Sequence, residues 1–481
     1  MADSERQVSA PFVTLTAAFG GLLASLACAR AYPYALPISA ALAGMVPGVA
    51  VGVIERGRNR ASVVAALATV PFLFAGAFAG IPVAAAVAWG TRAIVETRGR
   101  GARDYVLVVA LAFVLMSGVG FGVYSALQPD PNLGGATLAR WLQQKPDLSK
   151  RAGDNELFLR VYQLQKKGAG YYEALFTSLQ EWHPERPTDR RGAVNFRLPL
   201  PYVVWAAVPL SPLATLTGGL LLLGAIAAVF AFALGRSLGP PGLALASASW
   251  VMAWFASNAG TANVVMVEMW AGGLIVCSLA AWGLHRARSG DRIWLAASVV
   301  AGLMAALTRE LAVFVLLAGL IAAVVGDRSD HRRTWPGWAA GLAVFAAAYW
   351  MHTAAVGGGL VSPRTGASFW LQGSILERMW VTWTWGDYFL PAAAAALPFV
   401  AIAVASAFVV RDRSLRAFAV AGVAIPTLAL GFVGGVSTGM TPLGYWAALT
   451  APALWSLLPA AYLLVLPLFL RTGQPTEPAS G

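Results

Sequence analysis

Residues 293–326 read IWLAASVVAGLMAALTRELAVFVLLAGLIAAVVG. How this run divides decides the fold. It is either one span broken at Thr308-Arg309-Glu310 or two short spans that meet there. A charge at membrane depth costs about 2.5–3.5 kcal/mol on insertion scales. Non-helical backbone at that depth is tolerated only when buried in protein or lining a cavity. The run 61–91 poses the same choice: one long tilted helix, or a tight hairpin at Gly80–Pro82.

The arginines choose between these readings. With both runs taken as hairpins, one set of loops carries Arg56/Arg58/Arg60, Arg92/Arg98/Arg100/Arg103, Arg236, Arg286/Arg288/Arg292, Arg328/Arg332/Arg333 and Arg411/Arg413/Arg416, with Arg471 in the tail. The opposite short loops, 31–35, 258–261 and 438–445, carry no Lys or Arg. If only one of the two runs were a single span, this asymmetry would fail over half the chain. The positive-inside rule then puts both termini inside and the 128–200 loop outside. Arg309 is the exception to the pattern.

Composition agrees with a membrane protein. Hydrophobic residues are 58% of the chain and charged residues 12%, against about a quarter charged in globular domains. Apolar runs from 11 to 470 imply an all-α polytopic protein of about fourteen transmembrane helices, at roughly 20 residues per crossing. Residues 11–30 read as a retained first span, not a cleaved leader. The net charge of +12 is topological and gives no reason to expect nucleic acid as a partner. Cys28 and Cys277 fall inside apolar runs, so neither a disulfide framework nor a metal site is implied. Walker A, H-E-x-x-H and G-x-S-x-G sequences are absent, which removes support for nucleotide hydrolysis, zinc proteolysis and serine hydrolysis.

The long loop 128–200 contains helical patterning. Leu157, Phe158, Val161 and Tyr162 share one face, and Tyr171, Leu175, Phe176, Leu179 and Trp182 another. Both stretches are expected as interfacial helices lying on the outer leaflet. A second outer loop, about 354–387, holds Trp370, Trp380, Trp383 and Trp385, placed as an interfacial belt.

A small set of charged residues collects on the outer side. Asp154 and Glu156 begin the first loop helix. A carboxylate there serves as a general base or holds a divalent cation; equally, Asp154 caps the helix with Glu156 in its first turn. Glu268 lies inside a span with no basic residue within four positions. It must pair across helices, line water or be protonated. Arg309 suits a phosphate oxygen, because its planar fork donates two parallel hydrogen bonds. It can equally close a local pair with Glu310. Arg197, Arg364 and Arg378 are weaker phosphate candidates, since interfacial basic residues also contact lipid headgroups. His352 ends a span on the same side and is either structural or a proton carrier.

Three runs carry a resemblance: Gly153-Asp154-Asn155-Glu156-Leu157-Phe158-Leu159-Arg160-Val161, Gly168-Ala169-Gly170-Tyr171-Tyr172-Glu173-Ala174-Leu175 and Asn195-Phe196-Arg197-Leu198-Pro199. Their order resembles the first outer loop of GT-C superfamily membrane glycosyltransferases. Val267-Glu268-Met269-Trp270-Ala271-Gly272 and Thr308-Arg309-Glu310-Leu311-Ala312 are similar too. The resemblance covers about 105–470 and implies a GT-C-like catalytic core there. Residues 1–104 would be additional N-terminal spans, and 471–481 a cytoplasmic tail. It implies inverting transfer of a sugar from a polyprenyl-phosphate donor to a glycan, lipid or protein acceptor, outside a bacterial-type plasma membrane. Asp154, or Glu156 in its place, and Glu268 would be the catalytic acids. Arg309, Glu310, Arg197, Arg364, His352 and Tyr172 would contact substrate. The resemblance assigns no definite cofactor, and a divalent cation is the one candidate. The sequence departs from the family in its extra N-terminal spans, in Asn155 between the two acids, and in lacking a soluble domain after the last span. A secondary transporter or lipid flippase with an outer-facing charged cavity is the alternative.

Overall fold

The computed structural model describes residues 133–144, 154–182, 197–239, 241–288, 290–326, 328–357, 404–430 and 447–461, with short pieces between 111 and 130. The described residues form helices and no strand. The spans expected before residue 105, the choice within 61–91, the outer loop holding Arg364, Arg378 and Trp370–Trp385, and the tail 471–481 lie outside the described residues.

After a short helix α1 (Leu138–Gln143), three helices come from the long loop: α2 (Asp154–Lys166), α3 (Tyr171–Trp182) and α4 (Leu200–Ala207). The bundle follows as α5 (Gly219–Leu238), α6 (Pro241–Ala259), α7 (Val267–Ala287), α8 (Arg292–Thr308), α9 (Val313–Val325) and α10 (Arg328–Val356). Next are α11 (Arg413–Ala419), α12 (Ile425–Leu430) and α13 (Ala447–Leu457). Among the described residues three stretches are long and apolar enough to cross a membrane: Ala214–Leu238, Val267–Ala287 and Arg333–Val356. Shorter apolar helices, Arg292–Thr308 and Glu310–Val325, lie between the last two.

The run 293–326 is a hairpin. Arg309 is extended (φ −144°, ψ 116°), and Glu310–Ala312 form one 3-10 turn before α9 starts. Gly302 of α8 and Gly319 of α9 both face the Trp338 ring of α10, so the two short helices run side by side. α7 and α8 are clasped by two serines. Ser278 Oγ donates to the Ser298 carbonyl at 2.8 Å, and Ser298 Oγ to the Ser278 carbonyl at 2.7 Å. Hydroxyl-to-carbonyl bonds of this kind hold helices together where lipid supplies no hydrophobic drive. Gly272 lets α7 approach α13 closely: a methyl group there would strike the Ala448 carbonyl.

Helices α5 to α10 alternate in direction, which defines two ends. Thr217 at the start of α5 donates to the Ala259 carbonyl at the end of α6 (3.2 Å). The starts of α7 and α9 lie at that same end. The opposite end holds the α5–α6, α7–α8 and α9–α10 turns. The start of α11 is also there, where Ser414 Oγ donates to the Ala322 carbonyl at 2.7 Å. Exposed Arg236, Arg288, Arg292, Arg333, Arg411, Arg413 and Arg416 gather at this second end.

The loop helices differ from a leaflet-bound arrangement in what covers them. Phe158, Leu159, Val161 and Tyr162 of α2 and Tyr171, Ala174, Leu175 and Leu179 of α3 are buried in protein. α2 packs on α3 and on α4, an aromatic strut. Tyr202 stacks on Phe158 (5.4 Å between centroids) and on Tyr171 (5.6 Å), and Trp205 meets the Tyr162 ring edge-on (6.3 Å). Such ring pairs add about 0.5–1.5 kcal/mol each beyond area burial.

Candidate functional site

Glu268 occupies the first turn of α7 and is completely buried. Its Oε1 receives two guanidinium groups. Arg197 Nη2 lies 3.0 Å away and Arg309 Nε 2.8 Å away. Arg309 also donates through Nη1 to Glu310 Oε1. The result is a chain of four buried charges, Arg197–Glu268–Arg309–Glu310, with no net charge. Of the three fates open to Glu268, the structure shows pairing across helices. Glu268 Oε2 and Glu310 Oε2 are buried with no hydrogen-bond partner among the described residues.

Local sequence explains each position. The 3-10 turn Ala262–Val265 is capped by Thr261, whose Oγ1 accepts from Asn263 N at 3.3 Å. It delivers α7 with Glu268 at the positive end of the helix dipole, where a carboxylate is favoured. Arg309 stands at the hairpin break, an extended residue between α8 and the 3-10 turn. Arg197 precedes Leu198-Pro199, and the proline, with its fixed φ, starts α4. Its guanidinium carbon lies 5.1 Å from the centre of the Phe158 ring, within the range of a cation–π contact. Tyr171 donates its hydroxyl to the Arg197 carbonyl. Burial, with a smaller push from Tyr172, holds the Tyr171 hydroxyl well above the ordinary phenol value, while Arg197 acts the other way. Burial raises Tyr202 likewise, with Tyr171 and Glu268 adding and Arg197 and Arg309 opposing. Both phenols stay protonated, and Tyr171 uses its proton in the bond to the Arg197 carbonyl.

A second group stands beside the first. Tyr172 OH and His352 Nδ1 are 3.0 Å apart, with the His352 ring buried between Tyr172 and Tyr349 (5.8 and 6.0 Å between centroids). Adjacent tyrosines of α3 thus grip two places: Tyr171 the segment bearing Arg197, Tyr172 the span bearing His352.

Asp154 opens α2. The neighbouring Asn155 donates through Nδ2 to Asn263 Oδ1 at 3.4 Å. That bond ties the start of α2 to the turn five residues before Glu268. Glu156 is half-buried on the same first turn. Arg197, Glu268, Arg309 and Glu310 are therefore brought into direct contact, and Tyr172 with His352. Arg364 lies outside the described residues. The sequence reading did not assign Phe158, Tyr171, Tyr202 or Asn263 to the site. The Tyr171-Tyr172 doublet and the aromatic density of 158–205 were its available signal. Among the described residues no group of three His, Cys, Asp or Glu is placed to hold a metal ion.

No protein-family model matches the chain, and no curated protein or solved structure matches it.

Proposed function

We propose that the chain is a membrane glycosyltransferase of GT-C type, transferring a sugar from a polyprenyl-phosphate donor to an acceptor hydroxyl. The observation that carries this is the buried Arg197–Glu268–Arg309–Glu310 chain at the end where the carboxylate-bearing start of α2 is docked. Arg309 and Arg197 would meet the donor phosphate. Glu268 and Glu310 would fix the guanidinium planes beforehand, so that little order is lost on binding. A donor phosphate would compete with these carboxylates for the N–H donors, five on each guanidinium. Asp154, or Glu156, would take the proton of the acceptor hydroxyl as its oxygen bonds to the anomeric carbon. The bond from that carbon to the phosphate oxygen breaks as the new one forms, and polyprenyl phosphate leaves with the electron pair. By the positive-inside rule this end of the bundle faces outward, since the exposed arginines lie at the other.

The test is turnover of a radiolabelled polyprenyl-phosphate sugar by the purified protein. Asp154→Asn should lower transfer by about 10²–10⁴-fold, the usual contribution of a general base, with the unfolding temperature of wild type. Arg309→Lys should lower it strongly by losing the planar fork. Normal transfer by Asp154→Asn with loss in Glu156→Gln would move the role to Glu156. Full activity in both variants, or lipid flux across vesicles without a glycosylated product, would overturn the transferase reading.

A further inference from the structure

The opposite end of the bundle carries a second collection of cations that the proposed reaction does not use. Arg288 follows α7, Arg292 opens α8, and Arg411, Arg413 and Arg416 surround the start of α11; all five are exposed. Arg286 Nη2 lies 3.3 Å from Asp412 Oδ2, so the α7–α8 turn sits against the start of α11 and the two arginine groups adjoin. The acids described here, Asp291 and Asp412, are already engaged. Asp291 Oδ1 accepts from Ile293 N at 2.9 Å. Asp412 Oδ1 accepts from Leu415 N at 2.7 Å while its Oδ2 pairs with Arg286.

Two further observations point to an anionic ligand that is also apolar. Arg292 takes the first position of α8, where the dipole is positive and a cation is disfavoured. An anion bound beside it would be favoured by that same dipole. Beside them, Ile293 and Val300 are exposed (74% and 57%). They are seven residues apart and so share one helix face. The Arg288 guanidinium carbon lies 5.3 Å from the centre of the Trp294 ring, and Trp favours headgroup depth.

We propose that the α7–α8 turn and the start of α11 form a binding site for an anionic phospholipid. Its headgroup lies among Arg288, Arg292 and Arg413, and one acyl chain runs along Ile293 and Val300. Charge complementarity supplies the headgroup contact, and the exposed apolar face selects a lipid over a free anion. This site is independent of the glycosyltransferase reading.

The test is retention of lipid by the purified full chain, measured by native mass spectrometry from mixed phosphatidylglycerol and phosphatidylcholine nanodiscs. Wild type should retain phosphatidylglycerol selectively. One interfacial Arg is worth about fivefold in binding to anionic lipid, so Arg288→Gln/Arg292→Gln/Arg413→Gln should weaken that retention by about a hundredfold. Arg236→Gln, at the same end but on α5, should leave retention unchanged. Should the triple variant fail to fold, Arg292→Gln and Arg413→Gln are measured singly, each with about a fivefold loss expected. Equal retention of both lipids by wild type would overturn the site. So would wild-type retention by the triple variant or by both single variants. Complete displacement by millimolar inorganic phosphate would assign the cluster to a free anion instead.

Discussion

Where α7 begins, Glu268 is sealed from solvent and two arginines converge on one of its oxygens. Where α7 stops, Arg288 and its neighbours stand exposed around two capping aspartates. One helix of 21 residues therefore joins two opposite treatments of charge. In the buried set each group depends on the next, because an ion without its partner in a low-dielectric interior costs several kcal/mol. In the exposed set water screens every group, and removing one changes little. Charge that is costly to leave alone marks the first end, and charge that is cheap to leave alone marks the second.

The sharpest way to break this contrast is to remove the shared carboxylate. Glu268→Gln leaves Arg197 and Arg309 without their common counter-ion and should lower unfolding stability by about 3–5 kcal/mol. Arg288→Gln should stay within about 0.5 kcal/mol. Chemical unfolding of both variants in detergent compares them directly, and similar losses would abolish the distinction. Next in size is the packing between the two ends. A methyl group at Gly319 would strike the Trp338 ring, so Gly319→Ala should cost about 1–3 kcal/mol, read as a lowered unfolding midpoint.

Much of the helical frame was readable in the chain. The apolar runs 211–235, 262–284 and 335–352 overlap the stretches now seen as Ala214–Leu238, Val267–Ala287 and Arg333–Val356, because hydropathy over roughly 20 residues records burial in lipid and in protein alike. That same indifference hid the surroundings of α2 and α3. An amphipathic pattern gives a face but not what covers it, and the cover proved to be the aromatic strut α4. Glu268 announced itself as a charge in need of a partner. Arg197, 71 positions earlier by subtraction of residue numbers, could not be matched to it by local spacing. The expected total of about fourteen spans extends beyond the three long apolar helices described.

Two smaller effects sharpen the comparison within the first end. Tyr172→Phe removes the hydroxyl that meets His352 and should cost about 1–3 kcal/mol, the penalty for a buried polar group left without its partner. Hydrogen exchange in α3 should rise as the helix loosens from α10. Smallest is the clamp between α2 and α3. Arg160 donates to both oxygens of Glu181, at 2.8 and 2.7 Å, and holds the Glu181 carboxyl below its ordinary value, chiefly through that hydrogen bond. Because the folded-state value is depressed, the stabilisation is full above the ordinary carboxylate range and fades as pH falls through the folded value. Glu181→Gln should remove an acid-side slope of at most about 1 kcal/mol, measured as unfolding midpoint against pH. A midpoint equally pH-dependent in that variant would deny the clamp its role.

The four buried charges also impose a timetable on synthesis. At about 5–20 residues per second, roughly 4–14 s separate the making of Arg197 from that of Glu268, 71 residues later. Arg309 follows 41 residues after Glu268, about 2–8 s on at the same rate. Glu268 thus arrives between the two arginines that share its Oε1. The α8–α9 hairpin carries its arginine into the bilayer when a carboxylate is already there to receive it. Exchanging Glu268 and Arg309 would keep the same charges yet place both arginines ahead of either acid, so their order along the chain is itself part of how the buried set is assembled.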